Sequence, residues 1–292
     1  MATASLESLF GQDAGWITKT AILSVVLAIL GAAGPTLFLL FLSFSPSDAS
    51  ATSYMQMPWT DPRYIDALLN SLGVGIGMTL LLTLGSCCIA LVFRRLDLTG
   101  NPFIYAVSAI PLLVPDFAFG VAGRMVLDPS VGLLGRFLPP ELLIDRIWAL
   151  SAVIAVATLK WLPVMTVVAD ASLASIPERQ QDQIRIDFSS YLEAIRLVYL
   201  PSMTPQLLLI ASLSFLIGFR QHELALELTS SGGGFAAELW SSWNYRVIFE
   251  FAQLNKAAID ALFVLPLLLG IILFIKAEAQ KVLVGCCKSF DR

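Results

Sequence analysis

Charge is scarce in this chain. Asp, Glu, Lys and Arg together make up 14% of its 292 residues, and the lone histidine is His222. No Gly-Lys-Ser or Gly-Lys-Thr triplet occurs anywhere, so the loop that cradles nucleotide phosphates is lacking. A zinc peptidase helix is excluded too: His222 precedes Glu223, but the second histidine of H-E-x-x-H would fall where Leu226 stands. The four cysteines form two adjacent pairs, Cys87-Cys88 in an apolar run and Cys286-Cys287 near the end, without the spacing of a metal site. No basic excess points to nucleic acid, since the net charge is −4.

What is abundant is apolar surface. The hydrophobic fraction is 57% and the mean hydropathy +0.78, well outside the range of soluble domains. A helix needs roughly 20 mostly apolar residues to cross a bilayer core. Six stretches qualify: Thr20–Phe44, Ala67–Phe93, Pro102–Leu127, Ile147–Leu173, Thr204–Leu228 and Ala257–Lys276. They are continuous runs, not the short alternating segments of a membrane β-barrel. The expected fold is all-α, a polytopic membrane helical bundle of six transmembrane helices. Ala49-Ser50-Ala51 looks like a cleavage site, but the run before it exceeds a signal peptide's apolar region and is read as a retained helix.

With the amino terminus inside, the inner segments hold Lys19, Arg94, Arg95, Arg179, Arg185, Arg196, Lys276, Lys281, Lys288 and Arg292. The outer ones hold Arg63, Arg136, Arg146, Arg246 and Lys256. Ten basic residues against five place both termini in the cytoplasm. The expected organisation is a cytoplasmic segment 1–19, a membrane domain 20–276 with a cytoplasmic loop 175–201, and a cytoplasmic tail 277–292. Thiols in that tail are expected to stay reduced.

The loop is the most patterned polar stretch, "SIPERQQDQIRIDFSSYLEAIRLVYLP". Ser175-Ile-Pro-Glu178 and Ser190-Tyr-Leu-Glu193 both fit the capping box, so a helix is expected to start at each. Ile184, Phe188, Leu192, Ile195 and Tyr199 recur at spacings of four, four, three and four, which predicts one apolar stripe along both short helices. Three roles fit: a helix in the headgroup layer, a loop packed on its own bundle, or a docking face for a cytoplasmic partner.

The spacing resembles the cytoplasmic loop of binding-protein-dependent ABC importer permeases: E-A-A, three residues, Gly, nine residues, Ile, one residue, Leu-Pro. Here the matching positions are Asp182-Gln183-Ile184, Phe188, Val198 and Leu200-Pro201, in unbroken register. Phe188 in place of glycine implies an altered hairpin, because glycine alone adopts a left-handed turn without strain. Leu68–Arg95, opening on Asn70-Ser71 and closing on Arg94-Arg95, is similar to the second core helix of such permeases. Leu200–Leu226 is similar to the helix after the loop in the branch that handles ferric iron, thiamine, sulfate or polyamines.

The resemblance implies a permease subunit working with P-loop ATPase subunits, a second permease subunit, identical or homologous, and an extracytoplasmic solute-binding protein. The setting it implies is the cytoplasmic (inner) membrane of a prokaryote. The chain itself would bind no cofactor and catalyse nothing; ATP would be used by the partner. Asp182, Gln183, Ile184, Arg185, Asp187, Phe188, Ser189, Leu200 and Pro201 would form the surface that couples to the ATPase.

Charged residues within apolar spans are costly and face protein or water. Asp116, Arg124, Lys160, Arg220, His222, Glu223, Glu227 and Asp260 are the candidates. Asp116, Arg220, His222 and Glu223 are read as lining a translocation path or its gate; the alternative is an ion pair such as Arg220 with Glu223. Pro111, Pro115, Pro163 and Pro266 mark either gates or packing kinks. The aromatic stretch "ELWSSWNYRVIFEF" is either an interfacial or re-entrant helix beneath the binding protein or an aromatic belt. Two further readings compete with the permease: a secondary transporter driven through Asp116 and Asp260, and a non-transporting scaffold.

Overall fold

The computed structural model describes residues 61–130, 132–176, 184, 190–229 and 237–290, with isolated positions 24, 31, 34, 37, 38 and 41. Most of the first expected span, and Asp182, Gln183, Arg185, Asp187, Phe188 and Ser189, lie outside these residues.

The described residues are helical throughout their regular structure. Helix α1 (Pro62–Arg95) opens where the Asp61 carboxylate accepts the Arg63 N–H at 3.0 Å and Pro62 takes the first position. It closes on Arg94 and Arg95, cations placed at the negative end of the helix dipole. A turn with Asp97 and Gly100 at positive φ leads to α2 (Pro102–Leu113), capped by Asn101. Then come α3 (Asp116–Leu127), α4 (Arg146–Ala174), α5 (Tyr191–Phe219), α6 (Glu223–Thr229), α7 (Trp240–Phe249) and α8 (Leu254–Phe290).

Four of these helices are long and apolar enough to cross a membrane: α1, α4, α5 and the Leu254–Ile271 part of α8. A fifth crossing results if α2 and α3 count as one broken span. The third expected span, Pro102–Leu127, is therefore not one helix, because α2 and α3 meet at 89°. The break falls at Val114-Pro115, where proline holds its predecessor in extended backbone.

The fifth expected span, Thr204–Leu228, needs a larger correction. Its helix begins earlier, at Tyr191, and runs through a π-helical stretch, Ile195–Tyr199, into the apolar part without a break. Leu200 and Pro201 consequently lie inside a long helix, not at the end of a loop. The same span stops earlier than expected, at Phe219, and Arg220, Gln221 and His222 separate it from α6.

A helix does start at Ser190, though no side-chain cap bond forms there. Ser175 instead closes α4, its hydroxyl donating to the Ser172 carbonyl at 2.7 Å. The expected stripe is also split: Ile184 and Tyr199 are buried in the core, whereas Leu192 is 73% exposed and Ala194 takes the inward position.

The centre of the bundle is α1 packed on α4 and α5. Val74, Met78 and Leu82 of α1, Val153 and Ala157 of α4 and Ile210 of α5 are fully buried. Within lipid, helices gain little from hiding apolar side chains, so close fit must hold them together. Ser71 and Gly75 on α1, and Ser214 and Gly218 on α5, are buried small residues four positions apart on each helix. A Cβ at Gly218 would lie 2.9 Å from the Gly75 Cα, a contact only glycine permits. Leucines such as Leu80, Leu84 and Leu209 remain exposed on the outside, as suits a surface in contact with lipid.

The end of the bundle that carries Pro62 and Arg146 is tied by polar contacts. Arg146 donates to the Asn70 side-chain oxygen at 2.9 Å and pairs with Asp66 at 3.0 Å. Asn70 in turn donates to the Glu238 carbonyl, and the Trp240 N–H donates to Ser71. Helix α7 is fastened to α1 by these bonds and also packs on α8, with Trp243 only 4% exposed. Trp243 therefore anchors the aromatic stretch inward and is not available to an external protein, whereas Tyr245, Phe249 and Phe251 remain exposed.

Candidate functional site, a polar cavity where two spans break

Lys160 lies halfway along the 29-residue α4, deep among apolar neighbours, and is only 3% exposed. An isolated ammonium there would be prohibitively costly. Its Nζ donates to the Val114 carbonyl at 2.8 Å and to the Asp116 carboxylate, and it sits 5.7 Å from the centre of the Phe119 ring. Val114 is the residue whose carbonyl is released when α2 ends. The lysine thus satisfies the broken helix and neutralises the acid that opens the next one.

The second break lies across a cavity from the first. After α5 ends at Phe219, the Arg220 and Gln221 N–H groups bond back to Leu216 and Gly218, and His222 turns toward α7. Its Nδ1 lies 3.1 Å from the Ser242 hydroxyl, and its ring is 5.0 Å from that of Tyr245. Helix α6 then packs closely on α3, because a Cβ on Gly120 would meet the Leu224 carbonyl at 2.8 Å.

The cavity between the breaks has a volume of about 410 Å³. Asp116, Trp161, Arg220, Gln221, His222 and Glu223 line it, with Ile217 the one aliphatic side chain. All four residues read from the sequence as path candidates are thereby brought to one place. The alternative Arg220–Glu223 ion pair does not form among the described residues; α5 ends before Arg220 and α6 begins at Glu223, so the pair does not share a helical turn. Trp161 and Gln221 were not singled out in the sequence, although each adjoins a charged candidate.

Asp260 is placed elsewhere. It is fully buried in α8, one turn after Lys256, which lies 3.6 Å from Asp61 and 5.2 Å from the centre of the Trp243 ring. Asp116 and Asp260 therefore share no cavity. Glu238, in the approach to α7, is nearly buried beside Arg246 at 3.4 Å. Burial pushes its carboxyl up from the usual range, and Arg246 only partly offsets this.

Of the residues expected to couple to an ATPase, three are described. Ile184 is buried against the core, Leu200 is 41% exposed, and Pro201 lies in the first part of α5's apolar run. Tyr191 fastens the start of α5 to α1, its hydroxyl donating to the Leu91 carbonyl at 2.7 Å.

No family model matches the chain. Over 230 residues it is 22% identical to a probable ABC transporter permease protein of Pyrococcus horikoshii, a match covering 73% of this chain and 77% of the relative. The crystal structure of a bacterial ABC transporter involved in import of the acidic polysaccharide alginate contains a chain with the same fold. That likeness has a TM-score of 0.75 and 17% identity, and covers 95% of this chain and 99% of the other. The alginate transporter in complex with an alginate pentasaccharide-bound periplasmic protein gives a TM-score of 0.71, again at 17% identity, covering 95% and 98%. The helical spans and the shared fold fit a multi-pass helical membrane protein, and the chain is similar to ABC importer permeases.

Proposed function

We propose that this chain is a transmembrane permease subunit of an ATP-driven importer, and that the cavity between the two broken spans belongs to its translocation path. One observation carries the reading: both breaks open on the same polar cavity, halfway along α4. Irregular backbone at membrane depth is tolerated where it is enclosed by protein or lines a water-filled space, and discontinuous helices mark solute sites in several transporter folds.

In this reading the segment 175–201, whose last part is the start of α5, couples to separate P-loop ATPase subunits that use ATP. A second permease subunit completes the pathway, and an extracytoplasmic binding protein delivers the solute. Both termini lie in the cytoplasm, and the membrane is the inner membrane of a prokaryote. The iron, thiamine, sulfate or polyamine branch rests on the resemblance of Leu200–Leu226; the structural relatives named above import an acidic polysaccharide, so the solute class is left open by the fold. The ATPase can bias the permease only through contacts that differ between its inward- and outward-facing states. The direct connection of Tyr191 to Phe219 as one helix supplies a lever from the loop to the Arg220 break.

The secondary-transporter reading is weakened by the same geometry. A coupling acid must exchange its ion with water, yet Asp116 is held by Lys160.

The test is affinity purification of the tagged chain from its native membrane in mild detergent, beside an Asp182→Lys/Asp187→Lys variant. A P-loop ATPase should accompany the original and be lost from the variant. Absence of any ATPase under conditions that preserve known complexes would overturn the reading.

A further inference from the structure

Near the Arg95 end of α1, a groove of about 490 Å³ runs between that helix and the start of α5. One wall is a single face of α1, formed by Cys88, Leu91, Val92 and Arg95 at helical spacing. The other is Tyr191, Leu192 and Ile195. Its lining is apolar except at one end, where Arg95 stands exposed with its guanidinium 5.7 Å from the centre of the Tyr191 ring.

Three features identify the occupant. Val92 and Leu192 are 51% and 73% exposed, so the walls continue into the apolar surface that meets lipid. Neither Arg95 nor Arg94 beside it pairs with a carboxylate among the described residues; each instead lies by an aromatic ring. The tyrosine hydroxyl is already committed to Leu91, so it fixes the groove's shape without competing for a ligand. An apolar trough ending in a guanidinium that has no carboxylate partner among the described residues, at the last turn of a spanning helix, is complementary to an acyl chain with an anionic head group.

We propose that this groove binds an anionic phospholipid, with one acyl chain along Cys88, Leu91, Val92 and Ile195 and the head-group phosphate on Arg95. The site is independent of the polar cavity. It bridges α1 and the start of α5, so an occupied groove braces the segment through which the loop enters the bundle.

The full chain, purified in mild detergent, is offered phosphatidylglycerol and phosphatidylcholine in mixed micelles, and the bound lipid is counted by native mass spectrometry. Phosphatidylglycerol should be retained in preference, with a loss of about fivefold in Arg95→Gln, the share of one basic residue near the membrane surface. Cys88→Trp, which fills the trough, should lose both lipids. Equal retention of the two lipids, or preference unchanged in Arg95→Gln, would overturn the proposal. A second arm does not depend on the tryptophan variant folding. With Cys87, Cys286 and Cys287 replaced by serine, a photoactivatable group attached to Cys88 in native membranes should capture phospholipid. Capture of a second permease subunit or an ATPase in its place would show that the groove is a protein interface and refute the lipid site.

Discussion

The two breaks in the membrane helices are closed in opposite ways. At Val114-Pro115 the freed carbonyl and the adjacent acid are both taken by Lys160, which is almost wholly buried. At Arg220–His222 the backbone largely satisfies itself, and the charged side chains of Arg220 and Glu223 are left facing the cavity. A charge spent on its own helix holds shape, whereas a charge left toward water is available to act. In the proposed function the first break is a fixed wall and the second the working surface.

That contrast is broken most severely at Lys160. Removing Lys160 strands Asp116, and because the Asp116 side chain is 36% exposed on the cavity wall the cost lies below the roughly 3–5 kcal/mol of a fully buried pair. Lys160→Ala should therefore sharply lower the yield of folded protein in detergent, seen as a loss of the monodisperse peak in size exclusion. Lys160→Met combined with Asp116→Leu should recover most of it, because an apolar pair of similar volume carries no stranded charge. The remaining deficit is the unpaired Val114 carbonyl, about 1–3 kcal/mol.

Next in size is the glycine contact. Gly218→Val must push α5 off α1, at about 1–3 kcal/mol for overpacking. Thermal unfolding followed by helicity should show a clear drop in Tm, with Gly73→Val as a control that meets nothing within 4 Å.

Arg220→Ala and Glu223→Ala should behave unlike either. Both residues are exposed and without ion-pair partners among the described residues, so stability should hardly change while uptake at equal expression falls severalfold. Normal uptake in both variants would remove the distinction between wall and working surface.

The smallest effect is expected at Glu238, which lies outside the membrane-spanning helices. Its folded carboxyl takes up protons more readily than the unfolded one, so stability falls as pH rises from the ordinary value of 4.5 through the raised folded value. Glu238→Gln should flatten this slope and give a Tm at neutral pH equal to or above that of the original.

The sequence made the helical, membrane-spanning class legible because runs of apolar residues leave no other solution. It also brought out Asp116, Arg220, His222 and Glu223, since charge inside such runs is rare enough to stand out. What it hid was where the spans break. Pro115 and Pro111 look alike on paper, yet only Pro115 coincides with a break, because Lys160, 45 positions later, is there to satisfy the carbonyl. The end of α5 at Phe219 was likewise concealed, since Leu224 and Leu226 continue the apolar pattern after the break. The α1–α5 contact had a readable signal in the four-residue spacing of Ser71 with Gly75 and Ser214 with Gly218, which a count of apolar residues passes over. Leu192 illustrates the opposite error: periodicity assigns it to the core, but the switch to a π-helical stretch three residues on rotates the pattern and leaves it outside.

The most direct test of the central claim is water access to the second break. In a chain with Cys87, Cys88, Cys286 and Cys287 replaced by serine, a single cysteine is introduced by Glu223→Cys, Arg220→Cys or, as a lipid-facing control, Leu209→Cys. Each is exposed to a membrane-impermeant thiol reagent in the assembled transporter. Labelling at 223 and 220 that changes when the ATPase is trapped with nucleotide, with none at 209, is the predicted result. If 223 and 220 are no more reactive than 209 in either state, the cavity is not part of a pathway.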